Sequence, residues 1–171
     1  MTGGAGGRAL AMVAAGGLLV GCATVRVHGG VYEVPRKDYR VTPPAGWERI
    51  PSDADLAFRQ GSLGAGLMVH GTCDGRTRGR SLPILARHLR FGLRDVTGLE
   101  EAPVTVAGQP GRESRFQARL DGVPVAVRAV TLEGPRCLYD LVAVASPGVA
   151  ATIRPDVDLF IQSFALSPGP P

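Results

Sequence analysis

From residue 112 to residue 120 polar and apolar side chains alternate strictly. Ser114, Phe116, Ala118 and Leu120 fall on one side, and Glu113, Arg115, Gln117 and Arg119 on the other. That period of two predicts a strand with one buried and one wet face. Asp121-Gly122 follows, a two-residue hairpin signal, and residues 123–132 return as a second strand. Glu133-Gly134-Pro135 turns the chain again into residues 137–145, apolar almost throughout and so placed near the middle of a sheet. Upstream, residues 56–59 and 67–73 are extended runs around a glycine-bearing turn, which predicts another hairpin. Residues 39–41 form a short strand stopped by Pro43-Pro44, since proline cannot donate to a ladder. Residues 102–106 make a strand ahead of the Gly108-Gln109-Pro110-Gly111 turn.

The period changes twice. Over residues 81–96, Leu82, Leu85, Leu89 and Leu93 recur at steps of three and four while Arg87, Arg90 and Arg94 gather on another face, predicting an amphipathic helix with Ser81 as its N-cap. A second helix is expected from Pro155, a residue suited to the first helical position, with Val157, Phe160, Ile161 and Phe164 along one side. Residues 22–38 show no persistent period and read as a tether contributing at most one short strand. Residues 39–166 read as one folded domain and residues 167–171 as a frayed tail.

The first 21 residues carry a single charged side chain, Arg8, ahead of an apolar run from Ala9 to Val20 and then Gly21-Cys22. Basic start, apolar core and small residue before the cut are the three parts of an export signal. A spanning helix needs roughly 20 apolar residues, and this run supplies 12. Leu19-Val20-Gly21-Cys22 resembles the lipobox of bacterial lipoproteins. The resemblance implies that residues 1–21 are removed, that Cys22 is acylated, palmitate being among the chains expected, and that the protein is anchored facing the periplasm of the cell envelope. Ala23 in place of an aspartate tilts the expectation toward the outer membrane. Two or three acyl chains make such attachment effectively permanent. The competing reading is a Gly/Ala-rich N-terminus on a cytosolic protein.

Removing residues 1–21 leaves 150 residues, enough for one domain with a sizeable core. The remaining charge is +3, too mild to imply nucleic acid, and Lys37 is the only lysine. With Cys22 lipidated, Cys73 and Cys137 remain. An even pair in an exported protein reads as one disulfide, with two buried free thiols as the alternative.

Tyr39, Pro44-Ala45-Gly46-Trp47, Val106-Ala107-Gly108-Gln109-Pro110 and Ser163-Phe164, taken with the order of elements, resemble the PsbP-like fold. That fold is shared by an extrinsic photosystem subunit, a small Ran-binding import factor and bacterial lipoproteins of unknown role. The resemblance covers about residues 39–166 and implies an α+β domain, a central antiparallel sheet with helices on both faces in an α/β/α sandwich. It implies an accessory or binding role and carries no catalytic motif.

His28, His70 and His88 lie in different elements with no metal-ligand spacing, so no metal or other cofactor is expected. No nucleophile elbow or phosphate-cradling loop occurs. Asp140, lone in an apolar strand, is expected to cap or to pair with an arginine. The surface feature worth arguing is the arginine series Arg76, Arg78, Arg80, Arg87, Arg90 and Arg94, of which Arg87, Arg90 and Arg94 are the candidate contacts to an anionic lipid surface or an acidic envelope protein. Ile84, His88 and Phe91 form an apolar edge beside them. The expectation is a lipid-anchored, non-catalytic binding module. The alternative is a cryptic envelope hydrolase or thiol enzyme.

Overall fold

The computed structural model describes residues 25–76 and 79–167. Eleven strands build two antiparallel sheets. The smaller joins β1 (Arg26–His28), β2 (Val31–Val34) and β3 (Tyr39–Val41) to β11 (Ala165–Leu166). The larger takes β4 (Glu48–Ile50), β5 (Leu56–Gln60), β6 (Ala65–Thr72), β7 (Arg94–Val106), β8 (Gln109–Leu120), β9 (Val123–Glu133) and β10 (Leu138–Ala145) in the order β4-β5-β6-β10-β9-β8-β7. Among the described residues two α-helices accompany them, α1 (Leu82–Ala86) and α2 (Arg154–Ser163). The architecture is therefore mostly antiparallel sheet.

The expected pattern holds best in β8, β9 and β10, whose side chains divide between two clusters. Val130, Leu132, Tyr139 and Leu141 pack with Val157, Phe160 and Ile161 of α2. Val127 and Ala129 pack with Phe116 and Ala118, and Val142, Val144, Leu89 and Leu93 close onto them. Pro155 opens α2, as its fixed φ favours. The only tryptophan, Trp47, is buried, and its Nε1 donates to Asp156 Oδ2 at 2.8 Å in the first turn of α2.

Two expectations are corrected. Residues 25–38 are not a tether: β1 and β2 pair with each other and β2 with β3, Val34 is fully buried, and Pro35–Lys37 forms a 3-10 turn. Lys37 Nζ binds Asp55, Gly71 N donates to Asp55 Oδ2 at 2.7 Å, and Tyr139 OH donates to Lys37 O at 2.6 Å, so this segment is stitched to the larger sheet. Burial pushes the Tyr139 hydroxyl up to about 12 and that of Tyr39 higher still, helped by the Asp55 charge, so both stay protonated donors.

The helix expected over residues 81–96 stops early. α1 ends at Ala86, a 3-10 turn covers Arg87–Arg90, and β7 begins at Arg94. Gly92 at φ +83 breaks the run, a conformation glycine enters without steric cost. The leucine face still does its work: Leu85 is buried, and Leu89 and Leu93 pack against the Phe116 cluster.

Candidate functional site

The early end of α1 breaks the arginine stripe. Arg87 is exposed and has no ion-pair partner among the described residues. Arg90 turns inward, its Nη1 lying 3.7 Å from Glu101 Oε1 on β7, an ion-pair contact beyond hydrogen-bond length. Glu101 also takes Arg112 Nη2 at 3.2 Å. Arg94 sits not on a helix but at the start of β7, opposite Arg119 of β8. The three side chains therefore do not share one face, and Arg90 pins the α1 segment to the sheet. Ile84 and Phe91 are exposed, Phe91 to 80 %, with its ring 5.5 Å from that of His88.

Cys73 and Cys137 form a disulfide with their Cα atoms 4.2 Å apart, at the end of the β6–β10 pairing where Thr72 faces Leu138. Bridged, neither sulfur is available as a thiolate nucleophile. Cys22 lies outside the described residues.

Beside the bridge, between the α1 segment and the sheet, is a cleft of about 340 Å³ lined by Thr72, Arg76, Arg80, Leu85, His88, Leu138 and Asp140. Its floor is a polar row beside an apolar one. Asp140 stands opposite His70 on β6 and opposite Thr131 on β9, whereas the next row is Met68, Val142 and Ala129. Thr131 Oγ1 donates to Asp140 Oδ1 at 2.6 Å. The expected arginine partner of Asp140 is absent, and no cation among the described residues lies within ion-pair distance of it. Burial pushes the Asp140 carboxyl up, against the Thr131 hydrogen bond and the charges of His70 and His88.

Across the sheet a larger groove, about 490 Å³, has Ala126, Ala143 and Ala145 along its floor and Arg115, Arg128 and Arg154 at its edges. Arg128 is already held by Glu113 and Asp158, and Arg115 by Glu113. Among the described residues no group of three or more His, Cys, Asp or Glu side chains is placed to hold a metal, and no helix is long and apolar enough to cross a membrane.

The cleft was not legible in the sequence. Its signal was there in Asp140, the one acid in an apolar run, but the partners Thr131 and His70 come from register.

Comparison with solved structures settles the fold. The chain superimposes on the solution structure of cyanobacterial PsbP (CyanoP) from Synechocystis with a TM-score of 0.60, at 16% identity over 86% of this chain and 95% of that one. The fold is PsbP-like. LpqN of Mycobacterium tuberculosis, described as involved in cell envelope biogenesis, matches with a TM-score of 0.57 at 13% identity, covering 76% of this chain and 83% of that one. A protein of unknown function and putative regulator from Pseudomonas aeruginosa matches with a TM-score of 0.53 at 15% identity, covering 82% and 97%. No family model and no curated protein sequence matches the chain. At these identities the PsbP-like likeness is one of fold.

Proposed function

We propose that this chain is an extracytoplasmic accessory protein, anchored by lipid on Cys22, whose PsbP-like domain binds an acidic component of the envelope through residues 82–94. The helices lie as thin layers on both faces of the sheet in this reading, and α1 with its following turn is the contact element. The observation that carries it is Phe91: a phenyl ring exposed to 80 %, with Ile84 on the same segment and Arg87 and Arg94 on either side of it in sequence, neither holding an intramolecular acid among the described residues. Large aromatic anchors with arginine neighbours are what protein-binding surfaces concentrate. The fold shared with CyanoP and with an envelope-biogenesis protein supports a binding role and an extracytoplasmic place, and the lipobox at Leu19-Val20-Gly21-Cys22 supplies the anchor.

Two experiments test the two halves. Cys22→Ala should move the protein from the detergent to the aqueous phase, and unchanged partitioning sinks the anchor. Crosslinked envelopes should yield a partner that Phe91→Ala with Arg87→Glu and Arg94→Glu loses. Capture should also weaken with salt, because exposed charges are screened over about 8 Å at physiological ionic strength. A partner retained equally by the triple variant rejects the surface.

A further inference from the structure

The lining of the cleft over Asp140 narrows the chemistry of what it could hold. Its walls are cationic: Arg76 and Arg80 rise from the segment that follows Cys73, and His88 from the turn after α1. His70 flanks the floor from β6. Asp74 is the one acid in that segment; its Oδ1 accepts from Arg76 N, and its Oδ2 lies 3.5 Å from Arg76 Nε. Arg112, which faces Thr131 from β8, is already bound to Glu101. A cationic ligand would meet Arg76 and Arg80, and a purely apolar one would strip water from Asp140 without return. The carboxyl has Oδ1 engaged by Thr131, and among the described residues Oδ2 has no bonding partner and no cation stands within ion-pair distance of it. The space between them fits a group that accepts from guanidinium and exchanges one proton with a carboxyl.

We propose that this cleft binds a phosphate monoester, with Arg76, Arg80 and His88 taking the charged oxygens and Asp140 sharing one proton with the phosphate. A phosphate monoester has its second pKa near 6, so up to about that pH it brings its own proton and can donate P–OH to an ionised Asp140, and inorganic phosphate keeps a P–OH through neutrality. Sulfate cannot. When Asp140 is protonated, the carboxyl donates instead and either anion fits. Discrimination between phosphate and sulfate therefore grows as pH rises from the carboxylate range toward neutrality. His70 and His88 also face this carboxyl and meet both anions alike, so the ratio isolates Asp140. This inference deepens the reading of the domain as a binding module by naming what one face binds; Phe91 and Arg87 lie outside the cleft lining.

The test is calorimetric titration of the domain with inorganic phosphate, glycerol 3-phosphate and sulfate between pH 5 and pH 7.5 at low salt. Sedimentation with phosphatidic acid vesicles, a lipid monoester, and phosphatidylglycerol vesicles, a diester, runs beside it. Phosphate should bind about tenfold more tightly than sulfate at pH 7, the loss expected when one charge-assisted hydrogen bond becomes a repulsion, and the gap should narrow as pH falls toward the carboxylate range. Asp140→Asn, whose amide donates to either anion, should abolish the discrimination at all pH values. Arg80→Ala, at an exposed position that leaves folding intact, should weaken phosphate about tenfold. Binding of glycerol 3-phosphate marks a soluble ligand, and binding confined to phosphatidic acid marks a headgroup. No binding of any monoester by the wild type overturns the proposal, as does sulfate bound as tightly as phosphate at pH 7, or Arg80→Ala binding unchanged. Envelope capture lost in the Phe91 triple variant with phosphate binding intact would separate the two surfaces.

Discussion

Replacing both cysteines of the bridge, Cys73→Ser with Cys137→Ser, should cost the domain about 4 kcal/mol. The bridge joins positions 64 apart in sequence, and on the chain-entropy account closing a loop of that length removes about 4 kcal/mol of freedom from the unfolded ensemble. Little need be lost in the native state, because the bridge sits where β6 and β10 are already paired, Thr72 opposite Leu138 and on to Gly66 opposite Val144. Since domains of this size are stable by only about 5–15 kcal/mol, the loss is a large share, and at about 2–4 °C per kcal/mol it lowers Tm by roughly 10 °C. Trp47 gives the assay: it is the only tryptophan, it is buried and it is bonded to Asp156. Urea unfolding followed by its fluorescence should show a lower midpoint and a somewhat larger m-value, because the freed unfolded chain exposes more surface. A loss below about 1 kcal/mol, with m unchanged, would refute the reasoning, since it would mean the unfolded ensemble never used the freedom the bridge removes.

Gly134→Ala should destabilise by about 1–3 kcal/mol in the same unfolding assay: a Cβ there would lie 2.7 Å from Tyr139 Cε2, and that ring is fully buried against Tyr39 and Phe164. Arg90→Ala should cost about 1 kcal/mol while Arg87→Ala stays within about 0.5 kcal/mol, because only Arg90 meets a half-buried acid, Glu101; equal effects would reject the pinning role. Asp140→Asn should stabilise the domain at neutral pH. Burial raises this carboxyl's pKa in the folded state, so the folded protein holds a proton more tightly than the unfolded chain, and wild-type stability falls as pH rises from the ordinary carboxylate range through the raised value. The variant should flatten that fall, which denaturation at pH 4 to 8 checks.

What was legible in the sequence was whatever local periodicity decides. Residues 112–120 and the Asp121-Gly122 turn became β8 and its hairpin with β9, and Pro155 and its apolar stripe became α2. β1 and β2 were not legible because three or four residues carry no usable period, and β3, which sits beside β2, finds its other neighbour in β11 at the far end of the chain. The helix over residues 81–96 was over-read because Leu85, Leu89 and Leu93 satisfy helical spacing, yet Leu85 is buried from a helix while Leu89 and Leu93 reach the Phe116 cluster from a 3-10 turn and the step into a strand. Gly92 was the local sign of the stop. The arginine series failed as a stripe for the same reason, and Asp140 could not be placed because Thr131 and His70 reach it through strand register.

The two faces of the larger sheet differ in how completely their polar groups are satisfied, and that difference bears on which of them is free to bind. On the face toward α2, Arg128 is held by both Glu113 and Asp158, and Glu113 also takes Arg115. On the other, among the described residues, Glu101 Oε1, Arg112 Nε and Ser114 Oγ are buried without a hydrogen-bond partner, and half-buried Asp140 is bonded to Thr131 alone. Glu101 faces Ser114, Arg112 faces Thr131, and Thr131 faces Asp140, so these groups form a continuous patch across β7, β8, β9 and β10. Each unsatisfied buried group costs about 1–3 kcal/mol, a burden that packing alone gives no reason to keep. Departures from local consistency of this kind are expected where a protein gives up stability for a site. The patch runs directly into the cleft, and the bridge at Cys73 and Cys137 together with the Arg90–Glu101–Arg112 contacts hold its walls in place. A phosphate in that cleft would supply acceptors to Arg80 and Arg76 and a second partner to Asp140, so the excess gain in Tm on adding phosphate rather than sulfate at pH 7 should be larger for the wild type than for Asp140→Asn.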